Sequence, residues 1–151
     1  MILKSPTGSW KIRSDAMGSG LYGAARGSRK HKGIDLVVEG KQPIDSPITG
    51  KVIREAYPYA GDLKWTGCQI IGTHEHRGLD VKLFYMKLYS WVLKRIKEEG
   101  QFYCHAGLPI GLAQLISHRH GEVMIDHVHF EIKQDVCTQV QLDPEKYKEG
   151  E

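Results

Sequence analysis

Apolar and polar side chains alternate along two short segments of the chain, with the two-residue period of a β-strand. In residues 31–38, Ile34, Leu36 and Val38 fall on one face while His31 and Asp35 fall on the other. In residues 127–132 the apolar set is Val128, Phe130 and Ile132, which leaves His127, His129 and Glu131 together on the opposite side. With the apolar faces buried, two strands each present imidazole and carboxylate from a polar face. Residues 50–56, 68–72 and 81–86 read as further strands. Turn-rich residues 40–47, Ala60-Gly61-Asp62 and the loop His74-Glu75-His76-Arg77-Gly78 separate them. The outline is an antiparallel meander.

Residues 88–99 stay open between a short helix and a long hairpin. Leu88, Trp91, Val92 and Ile96 approximate helical spacing, and Lys94, Arg95 and Lys97 suit an exposed face. Gly100 and Gly107 bracket another strand, and residues 108–116 lead into a loop at 117–122 that carries His118 and His120. Asp143 followed by Pro144 predicts a terminal helical turn, with Asp as cap and Pro in the first turn. Residues 1–30 are rich in Gly, Ser and basic side chains, and Gly18-Ser19-Gly20 and Gly23 interrupt any regular period. They read as a loop-like arm lying along the groove, ahead of a β domain formed by residues 31–151.

A chain of 151 residues fits one domain that buries a core without needing metal or disulfides to fold. No apolar run approaches the length that spans a bilayer, so membrane insertion is not expected. The net charge of +3 is modest but uneven. Ahead of His31 lie Lys4, Lys11, Arg13, Arg26, Arg29 and Lys30 against a single acid, Asp15. Such an edge suits an acidic glycan or an acidic receptor face as well as plain solvation. No nucleic-acid-binding motif accompanies it. Of Cys68, Cys104 and Cys137, at most two pair within one chain. No secretory signal precedes the domain, which leaves either a removed signal or a reducing, cytoplasmic setting.

Two neutral imidazoles and one carboxylate suit zinc, and three protein ligands leave the fourth tetrahedral position open. Alternation alone does not decide which histidine of the His127/His129 pair reaches the metal. The motif His31-Lys32-Gly33-Ile34-Asp35 and the run His127-Val128-His129-Phe130-Glu131-Ile132 resemble those of the lysostaphin-type zinc endopeptidases. Ser46-Pro47-Ile48-Thr49-Gly50-Lys51-Val52 and Gly107-Leu108-Pro109-Ile110-Gly111 resemble that family's intervening strand and turn, over about residues 20–148 in order. The resemblance implies a mainly β fold: a single antiparallel domain of the lysostaphin-peptidase, or duplicated-hybrid-motif, type with short helical segments. It also implies Zn2+ held by His31, Asp35 and His129, with His127 adjacent as a proton shuttle. Glu131 is then a surface carboxylate or a hydrogen-bond partner behind a ligand.

Val81-Lys82-Leu83-Phe84-Tyr85-Met86-Lys87 and Asp143-Pro144-Glu145-Lys146-Tyr147 resemble the leukocyte cell-derived chemotaxin 2 family of secreted signalling proteins, which share that fold. The peptidases carry Tyr-X-His-Leu where this chain has Tyr85-Met86-Lys87-Leu88, so Lys87 replaces one of two histidines that assist catalysis. An ammonium donates hydrogen bonds but cannot accept a proton from water. The resemblance therefore implies a zinc-binding, non-catalytic extracellular protein whose partner is a protein receptor or an acidic glycan. The alternative is an active zinc metalloendopeptidase cleaving glycine-containing peptides or peptidoglycan cross-links, in which burial lowers the pKa of Lys87. In a third reading His74, His76, His105, His118 or His120 supplies a replacement catalytic group or a second metal site. The chemotaxin disulfide framework is not carried over, because Asp80 stands where that family has a cysteine.

Overall fold

The computed structural model describes residues 1–134 and 140–148. In chain order it contains β1 (Ser14–Asp15), β2 (Gly18–Ser19), β3 (Ala25–Arg26), β4 (Arg29–Lys30), β5 (Ile34–Val37), β6 (Pro43–Asp45) and β7 (Gly50–Ala56). These are followed by β8 (Gly67–Gly72), β9 (Leu79–Phe84), β10 (Met86–Leu88), α1 (Ser90–Glu99), β11 (Phe102–Cys104), β12 (Pro109–Ala113), α2 (Ser117–His120), β13 (His127–Gln134) and β14 (Val140–Leu142). Seven strands form the main antiparallel sheet, in the order β11-β7-β8-β9-β13-β14, with β5 pairing β13. A second sheet has the order β10-β12-β6. The expectation of a mainly β, antiparallel domain with few helices holds.

Strand β13 organises the molecule. Its first half pairs with β5, setting His129 opposite Asp35 and Phe130 opposite Ile34, and its length from His129 onward pairs with β9. Residues directly opposite one another in an antiparallel pair point to the same face. Ile34, Leu36, Val81, Leu83, Val128, Phe130 and Ile132 therefore share one face and are fully buried. Asp35, His127 and His129 share the other.

That second face is covered too, by the arm. Residues 1–30 are not loop-like: they form two hairpins, β1–β2 and β3–β4, and Leu3 is fully buried in the core. The unpaired edge of β5 requires hydrogen-bond partners. The arm supplies them, with the Arg13 amide on the Asp35 carbonyl (2.8 Å), the Asp35 amide on the Gly20 carbonyl (2.9 Å) and the Val37 amide on the Lys11 carbonyl (2.9 Å). A Cβ at Gly20 would sit 2.7 Å from that of Asp35, so a glycine is required where the arm crosses the strand.

Residues 88–99 resolve as helix, not hairpin. Gly100 adopts φ 82° and its amide caps the Ile96 carbonyl at 2.7 Å, a left-handed stop that ends α1. Residues 117–122 contain the short helix α2 where a loop was expected. The terminal turn forms at Pro144–Tyr147, with Asp143 accepting from the Glu145 amide at 3.1 Å. Cys68 and Cys104 are buried free thiols, and Cys137 lies outside the described residues. Among the described residues no helix is long and apolar enough to cross a membrane.

Candidate metal centre

His31 enters from the turn before β5, and its backbone amide is fixed to the Ala24 carbonyl at 2.8 Å. Gly33 makes this entry possible, because a Cβ there would lie 2.3 Å from the Phe130 carbonyl oxygen. His31 Nδ1 lies 3.0 Å from the Leu21 carbonyl, so it carries a proton and Nε2 is the ring atom turned to Asp35 and His129. That Nε2 is 3.0 Å from His129 Nδ1 and 3.1 Å from Asp35 Oδ1. His129 Nδ1 and Asp35 Oδ1 are 3.0 Å apart.

Three ligand-type atoms thus form a near-equilateral triangle. Ligands around tetrahedral zinc at about 2.0–2.1 Å stand about 3.3 Å from one another, so a small expansion of this triangle accepts the ion. The donor set of two nitrogens and one oxygen suits it chemically. Among the described residues no second group of three such side chains converges.

Hydrogen bonding distinguishes the polar side chains of β13. His129 Nε2 lies 3.0 Å from Glu131 Oε1, which holds the ring with Nδ1 toward His31 and Asp35. Glu131 stands behind His129 and outside the His31, Asp35 and His129 triangle. His127 stands beside the triangle, with Nδ1 2.8 Å from the Ile125 carbonyl and Nε2 3.7 Å from Asp35 Oδ2.

Burial by itself would raise the Asp35 pKa. Hydrogen bonds from His129 and His31 and the charge of the neighbouring imidazoles reverse this and hold its carboxyl well below the usual carboxylate range. For His129 burial opposes the charged form, but bonding to Asp35 and Glu131 lifts its pKa to about 9. Burial pushes the His127 pKa below its ordinary value despite Asp35, leaving a neutral imidazole with a free Nε2 lone pair.

The triangle opens into a groove of about 590 Å³. Arg26, Arg29, Lys30 and Lys32 line one part of it, and Tyr57, Tyr59 and Tyr85 another. The two acids on the wall, Asp35 and Glu131, are outnumbered by Arg13, Arg26, Arg29, Lys30 and Lys32, so the groove carries an excess of positive charge. Tyr85 sits edge-on to His127 with ring centroids 5.2 Å apart. His120 Nε2 lies 2.9 Å from the Tyr59 hydroxyl in the same groove.

Lys87 does not line this groove. Tyr85, with φ 69°, turns the chain between β9 and β10, so Lys87 belongs to the second sheet. Its ammonium, half exposed, donates to Glu55 Oε2 at 2.6 Å and borders a separate cavity with Lys41, Lys64 and Trp65. The buried lysine of the peptidase alternative is not what the fold builds. His118 borders that second cavity. His76 is a buried strut between the Thr49 amide (2.9 Å) and the Ile2 carbonyl (2.8 Å), and His74 bonds its neighbour Thr73 at 3.0 Å.

Sequence reasoning missed Arg13 as a functional residue. It is 3% exposed, and its Nε donates to Asp35 Oδ2 at 3.2 Å. The available signal was Asp15, the lone acid in a basic arm, two residues further on.

No family model matches the chain, and no curated protein does. Among solved structures it is similar to Helicobacter pylori Csd3, with TM-score 0.65 and 18% identity, covering 100% of this chain and 36% of that one. Lysostaphin in solution matches with TM-score 0.59 and 18% identity, over 88% of this chain and 49% of that one. The catalytic domain of the prophage-encoded M23 protein EnpA from Enterococcus faecalis, in a mutant form, matches with TM-score 0.56 and 18% identity, over 93% of each chain. The chain spans about a third of the first of these proteins and about half of the second. What it shares with all three is the fold, an antiparallel β domain of the lysostaphin type.

Proposed function

We propose that this domain binds one zinc ion through His31 Nε2, Asp35 Oδ1 and His129 Nδ1, and uses the adjoining basic groove to hold an acidic partner without cleaving it. The observation that carries the reading is the course of Lys87: its ammonium is committed to Glu55, and of the two positions where the peptidases carry an assisting histidine only that of His127 stands beside the ligand triangle. Bound zinc would supply a Lewis acid at the floor of the groove. Around it, His127 offers a neutral acceptor, while Arg26, Arg29, Lys30 and Lys32 attract anionic groups and Tyr57 and Tyr59 offer flat apolar faces. An acidic glycan or the acidic face of a receptor fits that chemistry. The resemblance to the chemotaxin family supports an extracellular setting.

One observation favours the peptidase reading. His120 lines the groove that holds His127, and burial together with the charges of Arg119 and Arg13 keeps its pKa below the ordinary value. A second neutral imidazole is therefore present, although it comes from α2 and not from the Tyr85-to-Leu88 segment. The test is zinc-loaded wild type beside His129→Ala, offered glycine-rich peptides, peptidoglycan and a sulfated glycan. Zinc-dependent glycan retention without cleavage is the expected result. Turnover that disappears in His129→Ala would establish the peptidase instead.

A further inference from the structure

Arg13 is the one arginine or lysine buried among the described residues, and its guanidinium joins two acids. Nε donates to Asp35 Oδ2 at 3.2 Å, and Nη1 donates to Asp15 Oδ1 at 2.8 Å and to the Gly18 carbonyl at 3.3 Å. The other Asp15 oxygen accepts from the Ile125 amide at 2.8 Å. Ile125 in turn accepts, through its carbonyl, the Nδ1 proton of His127 at 2.8 Å. His127 Nε2 faces Asp35 Oδ2 at 3.7 Å. The path begins and ends on the same carboxylate oxygen, and two of its side chains, Arg13 and Asp15, belong to the arm. Arg26 Nη2 approaches that oxygen too, at 3.6 Å, while donating to the Ser19 carbonyl at 2.7 Å.

Two consequences follow from this circuit. Engaging Oδ2 with cations leaves Oδ1 as the oxygen that completes the triangle with His31 and His129, so Asp35 is presented as a one-oxygen ligand. Fixing the Ile125 carbonyl on His127 Nδ1–H selects the tautomer whose Nε2 lone pair faces the groove. A guanidinium performs the first task better than an ammonium because its planar fork reaches two carboxylates at once.

We propose that Arg13 and Asp15 are positioning residues of the metal centre, and that through them the arm sets the geometry of both Asp35 and His127. The centre is then built by residues 13–35 together with 125–131, not by the two histidine motifs alone. The proposal rests on the zinc-binding reading above, and its test separates the two.

The full chain is prepared as wild type, Arg13→Lys, Arg13→Ala, Asp15→Ala and the double alanine variant. Zinc affinity is measured by competition with a chromophoric chelator, and the His127 ring nitrogens are observed by 15N NMR after chelator treatment. Loss of either side chain is expected to weaken zinc by about 10–100-fold at unchanged stoichiometry. The double variant should lose less than the product of the single losses, because both act through one path. Asp15→Ala should also remove the fixed Nδ1–H tautomer of His127 while the core amide pattern persists. Arg13→Lys, which keeps the charge and loses the fork, should retain the fold and bind zinc with intermediate affinity. Wild-type affinity throughout, multiplicative losses or an unchanged His127 tautomer would each overturn the proposal. Absence of zinc binding by the wild type would instead overturn the metal reading, with the tautomer measurement still testing the circuit.

Discussion

His127 and His129 address different oxygens of one carboxylate: His129 Nδ1 lies 3.0 Å from Asp35 Oδ1, and His127 Nε2 lies 3.7 Å from Asp35 Oδ2. Two residues of spacing along β13 keep both rings on one face while the strand's rise separates them, so one joins the candidate ligand triangle and the other stands beside it.

Removal of the two histidines should therefore give different metal contents. Elemental analysis is expected to find about one zinc per wild-type chain and per His127→Ala chain, and far less in His129→Ala. Glu131→Gln should weaken zinc by about 10–100-fold, since the amide no longer accepts from His129 Nε2 as a carboxylate does. Equal retention in His129→Ala and wild type would remove the assignment.

Stability should depend on pH in opposite ways with and without metal. The His129 pKa, raised to about 9 in the ligand-free triangle, contributes stability that is complete below its unfolded value near 6.5 and lost as pH rises through about 9. Chelator-treated protein should accordingly melt at lower temperature at pH 9 than at pH 6.5. Zinc requires the neutral imidazole, so its affinity should rise over the same interval and chelation should cost the most thermal stability at the alkaline end. Scanning calorimetry across this range, with and without zinc, checks both slopes.

Replacing Lys87 by histidine should create no peptidase. The side chain at that position is directed to Glu55 in the second sheet, so an imidazole there would not stand beside His127. Product analysis of zinc-loaded Lys87→His against glycine-rich peptides should match the wild type, and appearance of cleavage would show that the Tyr85 turn rearranges.

Gly33→Ala should damage both fold and site. A Cβ placed 2.3 Å from the Phe130 carbonyl must push the turn away from β13, with a cost on the order of 1–3 kcal/mol or more. Because His31 and Asp35 flank that turn, zinc affinity should fall with stability, which thermal melts and zinc competition on the same preparation would reveal.

The parts of the fold legible in the sequence are those whose environment repeats along the chain. Val128, Phe130 and Ile132 meet β5 or β9 residues of matching parity, so alternation there reports real burial. Asp35 and the β13 histidines were legible as one polar face for the same reason, while the choice of His31, Asp35 and His129 came from the resemblance of the two motifs. The arm was not, because its order comes from backbone bonds to the β5 edge and from the Arg13–Asp35 pair, neither of which imposes a period on residues 1–30. The direction of Lys87 was not legible because a single left-handed residue, Tyr85, transfers the chain from one sheet to the other, and a tyrosine at that point carries no sequence mark of such a turn.

Alternation along β13 also separates what the strand does for folding from what it does for chemistry. The β13 residues that hold the core lie on one side of the pleat, and His127, His129 and Glu131 lie on the other. Exchanging His127, His129 or Glu131 alters that polar face while leaving the apolar surface intact. Descendants of such a scaffold can therefore gain, lose or redirect a reaction one side chain at a time, and the sheet beneath is inherited unchanged.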